Sequence, residues 1–471
     1  MKFDRDVYEI KSLLRFSNVA TQVDASACLS RFAAETNDSY LNARAQHILS
    51  TIKKDNELSA LFNELAVLCN ESRDCENCAV KKYCNNYICM KQEKERKADK
   101  PLIVDLFCGA GGLSLGFSQE GYSIALANDI QECCVDTYAH NHPEVERKNI
   151  VQGDIRYILN DLEAMLGKRE IAVIVGGPPC QGFSMANRQR IIDDPRNFLY
   201  KNYVEMVDRV RPRFFVMENV RGMLSVSSQI ISDFSRLGYD VAYKVVNAEE
   251  FGIPQNRERI LFIGNRIGVD SSSIFAEMEA LAAAQKHYSL ADAIGDLRPL
   301  AASKVKYNGD YECEESGYII EGNGAEEVGT YITQINDGKR FRFVFNHKAR
   351  FNNERDIEIF SRMFPGDRAD DPKIADIMPY SRRNGIFKDK YFKLEPTKVC
   401  KTITAHLKYD GNMYIHPYQA RGLTPREAAR IQSFPDDYFF RGSFTKTYMQ
   451  IGNSVPPLLG RIVAHVIKKY V

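Results

Sequence analysis

The segment LIVDLFCGAGGLSLGF, residues 102–117, decides the fold of this 471-residue chain. It begins with an apolar run, turns through glycines at 109, 111 and 112, and then enters a helical segment. A buried strand that turns through glycine into a helix is the first unit of a parallel α/β sheet, and the free N–H groups at the start of such a helix favour a ligand. A tight turn without a ligand explains such glycines equally well when they stand alone. The Gly-x-Gly-x-x-Gly spacing is missing, so a standard dinucleotide site is not expected.

The same order of strand, polar loop and helix recurs along the chain. Further apolar runs occupy residues 124–127, 171–175, 213–217 and 259–264, and the first three end at Asp129, at the GGPP of 176–179 and at Glu218. This alternation predicts an α/β fold with a doubly wound, mostly parallel sheet. Functional side chains gather at the carboxyl ends of the strands in such sheets, and the polar motifs lie at those ends.

The composition sets broad limits. With 44% hydrophobic and 27% charged residues, the chain suits a folded protein of two or three domains. No apolar stretch approaches the roughly 18 residues of a membrane-spanning helix, and the first residues mix acids with bases as export signals do not. The 12 cysteines cluster rather than scatter, which argues against a secreted disulfide framework. We therefore expect a cytoplasmic protein. The net charge of +1 neither favours nor excludes a nucleic-acid partner.

Two aspartates follow the second and third strand segments. Asp129 can accept hydrogen bonds from both hydroxyls of a ribose, and Asp154 can accept one from an adenine amino group. Either residue alone is more simply explained as a helix N-cap. Together with the glycine-rich turn they form three such features in order, one per strand, and that order favours an adenosine-containing ligand.

A cysteine and a carboxylate follow the next two segments. GPPCQGFS, residues 177–184, places Cys180 on a stiff loop, where a catalytic and a structural cysteine are equally plausible. Glu218 ends the following strand, and Arg257 and Arg259 precede the last one. A thiolate that adds to C6 of cytosine needs an acid at N3 and a cation at O2, and C5 then becomes nucleophilic. These residue types therefore suit chemistry at C5 of cytosine.

Six motifs resemble, in family order, those of the DNA (cytosine-5)-methyltransferases, at residues 105–116, 177–184, 218–220, 255–259, 421–427 and 450–457. The resemblance covers residues 101–471 except a variable middle. It implies a Rossmann-like, class I S-adenosylmethionine-dependent methyltransferase that acts on double-stranded DNA. The target cytosine is then flipped out of the duplex, because C5, C6 and N3 cannot all be reached within the base stack.

The resemblance also assigns roles to residues. Cys180 becomes the nucleophile, Glu218 the N3 partner and Arg259 the O2 partner, with Arg257 supporting the same site. Phe107 is expected to stack on the adenine, and Ile130 stands where many relatives carry Trp, so adenine packing is expected to be looser there. The cofactor-binding residues are Asp105, Phe107, Gly109, Gly111, Asp129, Ile130, Asp154, Ile155, Pro178, Asn453, Ser454 and Val455.

The resemblance places target recognition in residues 267–415, where KRFRF at 339–343 interleaves basic and aromatic residues. A solvated amphipathic strand is the alternative explanation of that stretch. The catalytic domain is then 99–266 with 416–471, and residues 1–98 form a small helical N-terminal domain. Candidate DNA contacts are Gln181, Ser184, Leu199, Arg340, Arg342 and Thr402.

A cysteine cluster lies in the N-terminal domain, between residues 69 and 89. Its spacing resembles the iron–sulfur loop of helix-hairpin-helix DNA glycosylases, with one residue fewer in the first gap. We expect a 4Fe–4S cluster in preference to structural zinc, with free or redox-active cysteines as the third alternative and Cys89 as a substitute ligand. The expected ligands are Cys69, Cys75, Cys78 and Cys84.

Two other functions stay open at the level of sequence. A tRNA cytosine-5 methyltransferase shares this architecture, although the long middle region and the extra N-terminal domain favour DNA. A catalytically silent DNA-binding regulator is the second, and it predicts a broken site. We expect a monomer that contacts no membrane. A cognate restriction endonuclease is expected as a functional rather than physical partner, with a stand-alone methyltransferase as the competing role.

Overall fold

A computed structural model of the chain describes residues 85–179, 198–306, 309, 311–322, 329–341, 343–379 and 390–471. Its strands are β1 Leu102–Leu106, β2 Ser123–Asp129, β3 Ile150–Gln152, β4 Val173–Gly176, β5 Phe214–Val220, β6 Asp240–Asn247, β7 Gln255–Asn256, β8 Glu258–Asn265, β9 Ile320–Gly322, β10 Phe343–Phe345 and β11 Cys400–Lys401. Seven of them form one sheet in the order β3-β2-β1-β4-β5-β8-β6, while β9 pairs with β10 and β7 with β11.

The direction of β8 shapes the site. The strands β3, β2, β1, β4 and β5 are mutually parallel, whereas β8 is antiparallel to both β5 and β6. The first residues of β8 therefore lie at the edge where the parallel strands end, and Arg259 pairs with Val220 there. The order of the strands reverses between β1 and β4, which is where open α/β sheets bind ligands.

Helices cover both faces of the sheet. The described helices are α1 Asn85–Arg96, α2 Gly112–Gln119, α3 Glu132–Asn141, α4 Ile155–Leu166, α5 Phe198–Val210, α6 Ser227–Arg236, α7 Ser271–Ala283, α8 Leu290–Ile294, α9 Thr330–Ile335, α10 Glu354–Arg362, α11 Pro425–Ile431, α12 Phe444–Asn453 and α13 Pro457–Lys468. The apolar sides of α2, α3, α7 and α13 join one core, and those of α4, α5 and α6 join the other. The predicted doubly wound, mostly parallel α/β fold is confirmed.

The first core continues into the region expected to recognise the target. It includes Ile294, Tyr331 and Ile403, whereas residues around α10 form a small core of their own. The predicted domain boundaries stay a prediction. Short 3₁₀ turns link the elements at Arg147–Asn149, Arg221–Val226, Ala248–Phe251, Pro372–Ile374, Ala405–Lys408 and Asn412–Tyr414. No helix in the described part of the chain is long and apolar enough to cross a membrane.

The helix α1 connects the N-terminal region to the sheet. Gln92 Nε2 donates to the carbonyl of Pro143 at 3.2 Å, and Arg96 pairs with Glu146 at 2.8 Å, both in the connection between α3 and β3. Glu95 pairs with Lys100 at 2.8 Å and accepts a hydrogen bond from Ser123 at the start of β2. Residues 1–84, which hold most of the expected helical N-terminal domain and the four expected metal ligands, lie outside the described residues.

Candidate active site

The turn after β1 is tied to the end of β2. The backbone N–H of Gly109 donates to Oδ2 of Asp129 at 2.9 Å, and the N–H of Gln131 donates to Oδ1 at 2.7 Å. A carboxylate offers about four lone-pair positions, so each oxygen can accept another donor. Burial raises the pKa of Asp129, and further donors would favour its ionised form. Asp129 is therefore placed to accept two hydroxyl groups.

Apolar side chains lie next to the Asp129 carboxylate and the turn that it bonds. Ile130 is 63% exposed, which is unusual for a large aliphatic side chain. Phe107 adopts a left-handed φ of 55°, which costs a non-glycine residue about 1–3 kcal/mol and is typical of functional sites. An adenosyl group presents a flat apolar base and two ribose hydroxyls, so these three residues fit it.

Asp154 is the N-cap of α4, as the simpler interpretation of the sequence predicts. Its Oδ1 accepts from the N–H of Arg156 at 2.9 Å, and the Arg156 guanidinium bonds both carboxylate oxygens. These bonds lower the pKa of Asp154. The Arg156 side chain is 72% exposed, so it can leave the carboxylate without disturbing the core. The neighbouring Ile155 is buried in the core, and only its backbone can face a ligand.

Two further predicted cofactor residues lie beneath the surface. Asp105 is 1% exposed and accepts a hydrogen bond from Tyr138 Oη at 3.5 Å. Burial raises the pKa of Asp105 to about 7. Pro178 is buried as well, and its carbonyl accepts from Asn219 Nδ2 at 2.8 Å. Both side chains therefore support the walls of the site from below.

The C-terminal segment returns to the glycine-rich turn. Gly111 has a φ of 85°, and a Cβ there would lie 2.9 Å from the ring of Tyr138 and from the hydroxyl of Tyr438. A Cβ on Gly112 would collide with the carbonyl oxygen of Val455. Only glycine permits this approach. The structure thus brings the predicted residues 453–455 to the start of α2, with Asn453 exposed and Ser454 and Val455 buried.

Glu218 and Arg259 meet at the edge of the sheet where the parallel strands end. Arg259 Nε lies 3.0 Å from Oε1 of Glu218, and the side chains are 16% and 10% exposed. The register of β5 and β8 makes them diagonal neighbours on one face of the sheet. Despite this short distance, no donor in the described part of the chain is aligned for a hydrogen bond to Oε1. That oxygen remains an acceptor for a substrate.

Cys180 itself, with Gln181 and Ser184, lies outside the described residues. The residues just before it are placed. A side chain on Gly177 would begin 3.2 Å from Oε2 of Glu218, and Pro178 is bonded to Asn219. The loop therefore leaves the sheet beside the Glu218–Arg259 pair. Leu199, on the far side of this loop, packs partly buried against the core.

Comparison with known proteins agrees with this geometry. The family model for C-5 cytosine-specific DNA methylases matches residues 102–469. Type II methyltransferase M1.HphI of Haemophilus parahaemolyticus is 34% identical over 375 residues, which span 78% of this chain and 86% of that protein. Type II methyltransferase M.DdeI of Desulfomicrobium norvegicum is 33% identical over 392 residues, with 78% and 88% covered. The chain belongs to the C-5 cytosine-specific DNA methylase family.

The fold agrees with a solved structure as well. A DNA modification methyltransferase encoded within an Escherichia coli prophage superposes with a TM-score of 0.62 at 24% identity, covering 79% of this methylase and 99% of that chain. The methylase thus transfers a methyl group from S-adenosylmethionine to C5 of cytosine in DNA.

The region expected to recognise the target contacts the QNRER segment, residues 255–259, directly. Strand β11 pairs with β7, and Thr402 Oγ1 donates to the carbonyl of Asn256 at 2.6 Å. Arg340 has an exposed side chain, whereas Arg342 lies outside the described residues. Of the expected DNA contacts, Thr402 therefore lies beside β7, which is part of the QNRER segment.

Sequence reasoning missed a buried ionic network around α11. Arg421 makes a two-point pair with Glu427 at 2.8 and 2.6 Å, and Arg430 pairs with Asp436 at 2.7 Å. Arg426 donates to the carbonyls of Phe345, Pro435 and Tyr438. The alanines within PREAARI are the signal in the sequence, because small residues around arginines at i and i+4 allow a charged helix to be buried.

Proposed function

We propose that the methylase acts on a flipped-out cytosine through Cys180, Glu218 and Arg259. The 3.0 Å contact between Glu218 and Arg259 carries this assignment, because it places an acid and a cation together at the exit of the Cys180 loop. The low exposure of both side chains suits a base that has left the stack, since a base that stays paired within the duplex cannot reach both groups.

The bond changes follow from these positions. The Cys180 thiolate adds to C6, and the displaced electron pair makes C5 nucleophilic while Glu218 donates a proton to N3. Arg259 donates to O2 and stabilises the developing charge. S-adenosylmethionine, when bound, supplies the electrophilic methyl group that C5 attacks. A base then removes the C5 proton, the C6–S bond breaks with return of its electrons to sulfur, and N3 gives up its proton.

We assign the adenosyl group to Phe107, Asp129 and Ile130, with Asp154 at the adenine amino group once Arg156 has moved aside. The carboxylate geometry of Asp129 and the exposure of Ile130 support this assignment. Gly109, Gly111 and residues 453–455 line the methionine end, while Asp105, Ile155 and Pro178 hold these walls from below.

The biological role we propose is protection of DNA in a restriction–modification system. The curated relatives at 34% and 33% identity are type II methyltransferases, which supports that role. A cognate endonuclease would then cut the same sequence without physical contact with a monomeric methylase in the cytoplasm. Candidate contacts to the duplex are Gln181, Ser184, Leu199, Arg340, Arg342 and Thr402.

Bisulfite sequencing of DNA from cells that express the methylase tests the function and identifies the sequence context. We expect cytosines of one short sequence to resist conversion with the wild type and to convert fully with Cys180→Ser. A duplex that carries 5-fluorocytosine in that context should form a denaturation-resistant complex with the wild type only. Full protection of DNA by Cys180→Ser would contradict the proposed nucleophile.

A metal site at the N-terminal cysteines is a separate proposal that depends on sequence alone. We propose that Cys69, Cys75, Cys78 and Cys84 bind a 4Fe–4S cluster, with structural zinc as the alternative. No group of three or more metal-ligating side chains occurs among the described residues, which do not include these four cysteines. Metal analysis of anaerobically purified protein distinguishes the two, since only an iron cluster gives visible absorbance that is lost on reduction. A metal-free folded protein would end this proposal.

A further inference from the structure

The motif QNRER, residues 255–259, directs alternate side chains into the molecule. Gln255 and Arg257 are 0% and 2% exposed, while Asn256 and Glu258 point to solvent. In extended backbone, residues at i, i+2 and i+4 share a face, so Arg259 follows Gln255 and Arg257 on the inner side. The inner face of this segment therefore carries Arg259, a candidate catalytic residue, and two buried side chains, Gln255 and Arg257, whose roles differ from that of Arg259.

Arg257 does not reach the Glu218 carboxylate with a hydrogen bond but binds three backbone carbonyls. Nη1 donates to Ile403 at 2.8 Å, and Nη2 donates to Gly452 at 3.2 Å and to Ser454 at 3.0 Å. Burial lowers the pKa of Arg257 to about 9, which leaves the guanidinium charged at pH 7. Charge-assisted bonds are stronger than neutral ones, so this guanidinium holds its three carbonyls firmly.

The three carbonyls belong to two segments of the chain, one on the proposed recognition side and one next to the glycine-rich turn. Ile403 lies in the recognition-side stretch after β11, and its N–H is held by Gln255 Oε1 at 2.7 Å. Gly452 and Ser454 lead into Val455, whose carbonyl contacts the glycine-rich turn at Gly112. The segments also touch each other, because a Cβ on Gly452 would collide with the backbone of residues 404–405.

We propose that Arg257 is a positioning residue that couples cofactor binding to engagement of DNA. This inference depends on the proposed role of residues 453–455 in the cofactor site. A cofactor held at residues 453–455 would stabilise the arrangement in which the carbonyls of Gly452 and Ser454 accept from the guanidinium. Arg257 in turn holds Ile403 on the recognition side and sets the backbone that carries Arg259 two residues later. Each ligand therefore tightens the binding of the other by the same factor.

The coupling is measured as the ratio of two dissociation constants for one labelled duplex, without and with saturating S-adenosylhomocysteine. The duplex carries the sequence identified by bisulfite sequencing. For the wild type we expect a ratio of roughly 5–150, the usual range of coupled sites. Arg257→Lys keeps the charge, but one ammonium cannot span carbonyls of two segments, and the ratio should fall to about 1–2.

Arg421→Lys is the matched control. Arg421 is equally buried, and it bonds Glu427 and the carbonyls of Leu300 and Gly422, none of which belongs to the cofactor segment. This variant should lose stability and keep the wild-type ratio. A merely structural role for Arg257 predicts that both lysine variants lower melting temperature and leave the ratio intact, which would overturn the proposal.

Hydrogen–deuterium exchange gives a second readout that does not need DNA. S-adenosylhomocysteine should protect residues 402–405 and 452–455 together in the wild type, but only 452–455 in Arg257→Lys. Protection of both stretches in the variant would contradict the coupling. A wild type that binds no cofactor would instead contradict the proposed cofactor site, so the two failures are distinguishable.

Discussion

The side chains of Glu218 and Arg259 meet because the antiparallel strands that carry them are neighbours in the sheet. Arg259 carries a charge that burial would penalise, and its 3.0 Å contact with Glu218 offsets that cost before any base arrives. An entering cytosine gives the two side chains different roles, because its N3 needs a proton donor and its O2 needs a cation. The contact thus keeps both groups oriented before a substrate enters.

Replacement of Glu218 by Gln should abolish most activity without loss of the fold. The amide keeps the shape of the side chain but cannot transfer a proton to N3, so kcat should fall roughly 10²–10⁴-fold, the usual contribution of a general acid. Transfer of a labelled methyl group to duplex DNA measures the loss. Glu258→Gln is the control, because Glu258, next to Arg259 on β8, is 46% exposed and pairs only with Arg221 among the described residues. Equal losses in both variants would count against Glu218.

Ile130→Trp should report cofactor binding directly. The chain contains no tryptophan, so the emission of this variant comes from one position. If Ile130 packs on the adenine, S-adenosylhomocysteine should quench or shift the emission in a saturable way, because a stacked purine alters indole fluorescence. Ile267→Trp, at 41% exposure on the opposite edge of the sheet, should not respond. An unresponsive Ile130→Trp that still binds cofactor would remove Ile130 from the site.

At the scale of elements, the start of α2 joins the cofactor turn to the C-terminal segment. Gly112→Ala would push a methyl group into the carbonyl of Val455, and such overpacking costs about 1–3 kcal/mol. Affinity for S-adenosylhomocysteine should therefore fall, as measured by calorimetry, together with the melting temperature. Gly329→Ala at the start of α9 should change neither, since nothing lies within 4 Å of its Cβ position and its φ is an ordinary −60°. Wild-type affinity in Gly112→Ala would mean that the two segments do not need this approach.

The local pattern of apolar residues in the sequence predicts the strands that are almost completely buried. The runs at 102–107, 171–175 and 213–217 correspond to β1, β4 and β5, which are almost wholly buried. The edge strand β6 could not be predicted, because most of its residues are half-exposed and apolar and polar positions do not alternate regularly along it. The antiparallel direction of β8 could not be predicted either, because the direction of a strand depends on the connection that leads into it and not on the residues of the strand itself. The contacts of Arg257 lie 146 to 197 residues away in sequence, so no local spacing could indicate them.

For the whole molecule, buried polar and charged groups join residues 267–415, the proposed target-recognition region, to the C-terminal part of the proposed catalytic domain. His347 connects the carbonyl of Arg298 at 2.8 Å with Thr424 Oγ1 at 3.2 Å, at the N-cap of α11. Burial raises the pKa of Glu427, but the adjoining Arg421 reverses the shift and holds it well below its ordinary value. Because these groups are almost inaccessible to water, the junction should respond to pH more than exposed ion pairs do.

His416 makes that response testable. Its Nδ1 accepts from the N–H groups of Tyr418 and Gln419, both at 3.1 Å, so this nitrogen carries no proton in the fold. Burial lowers the pKa of His416 to about 4, against an ordinary value of 6.5, despite the nearby Glu427. The unfolded chain therefore binds more protons between these values, and stability is lost as the pH falls from 6.5 towards 4. This one group should remove about 2 kcal/mol between pH 6.5 and pH 5.

The loss of stability in acid must be compared between a His416 variant and the wild type, because the titration of Asp105 changes stability in the opposite direction. Its pKa is raised to about 7, so it retains a proton in the fold and favours the folded state as the pH falls. His416→Asn keeps an acceptor for the two N–H groups and does not titrate in this range. Urea unfolding at pH 7 and pH 5 should show a smaller acid-induced loss for His416→Asn than for the wild type, with the Asp105 contribution common to both. An equal loss would place the acid sensitivity elsewhere, and His406→Asn, at an exposed position, should match the wild type in either case.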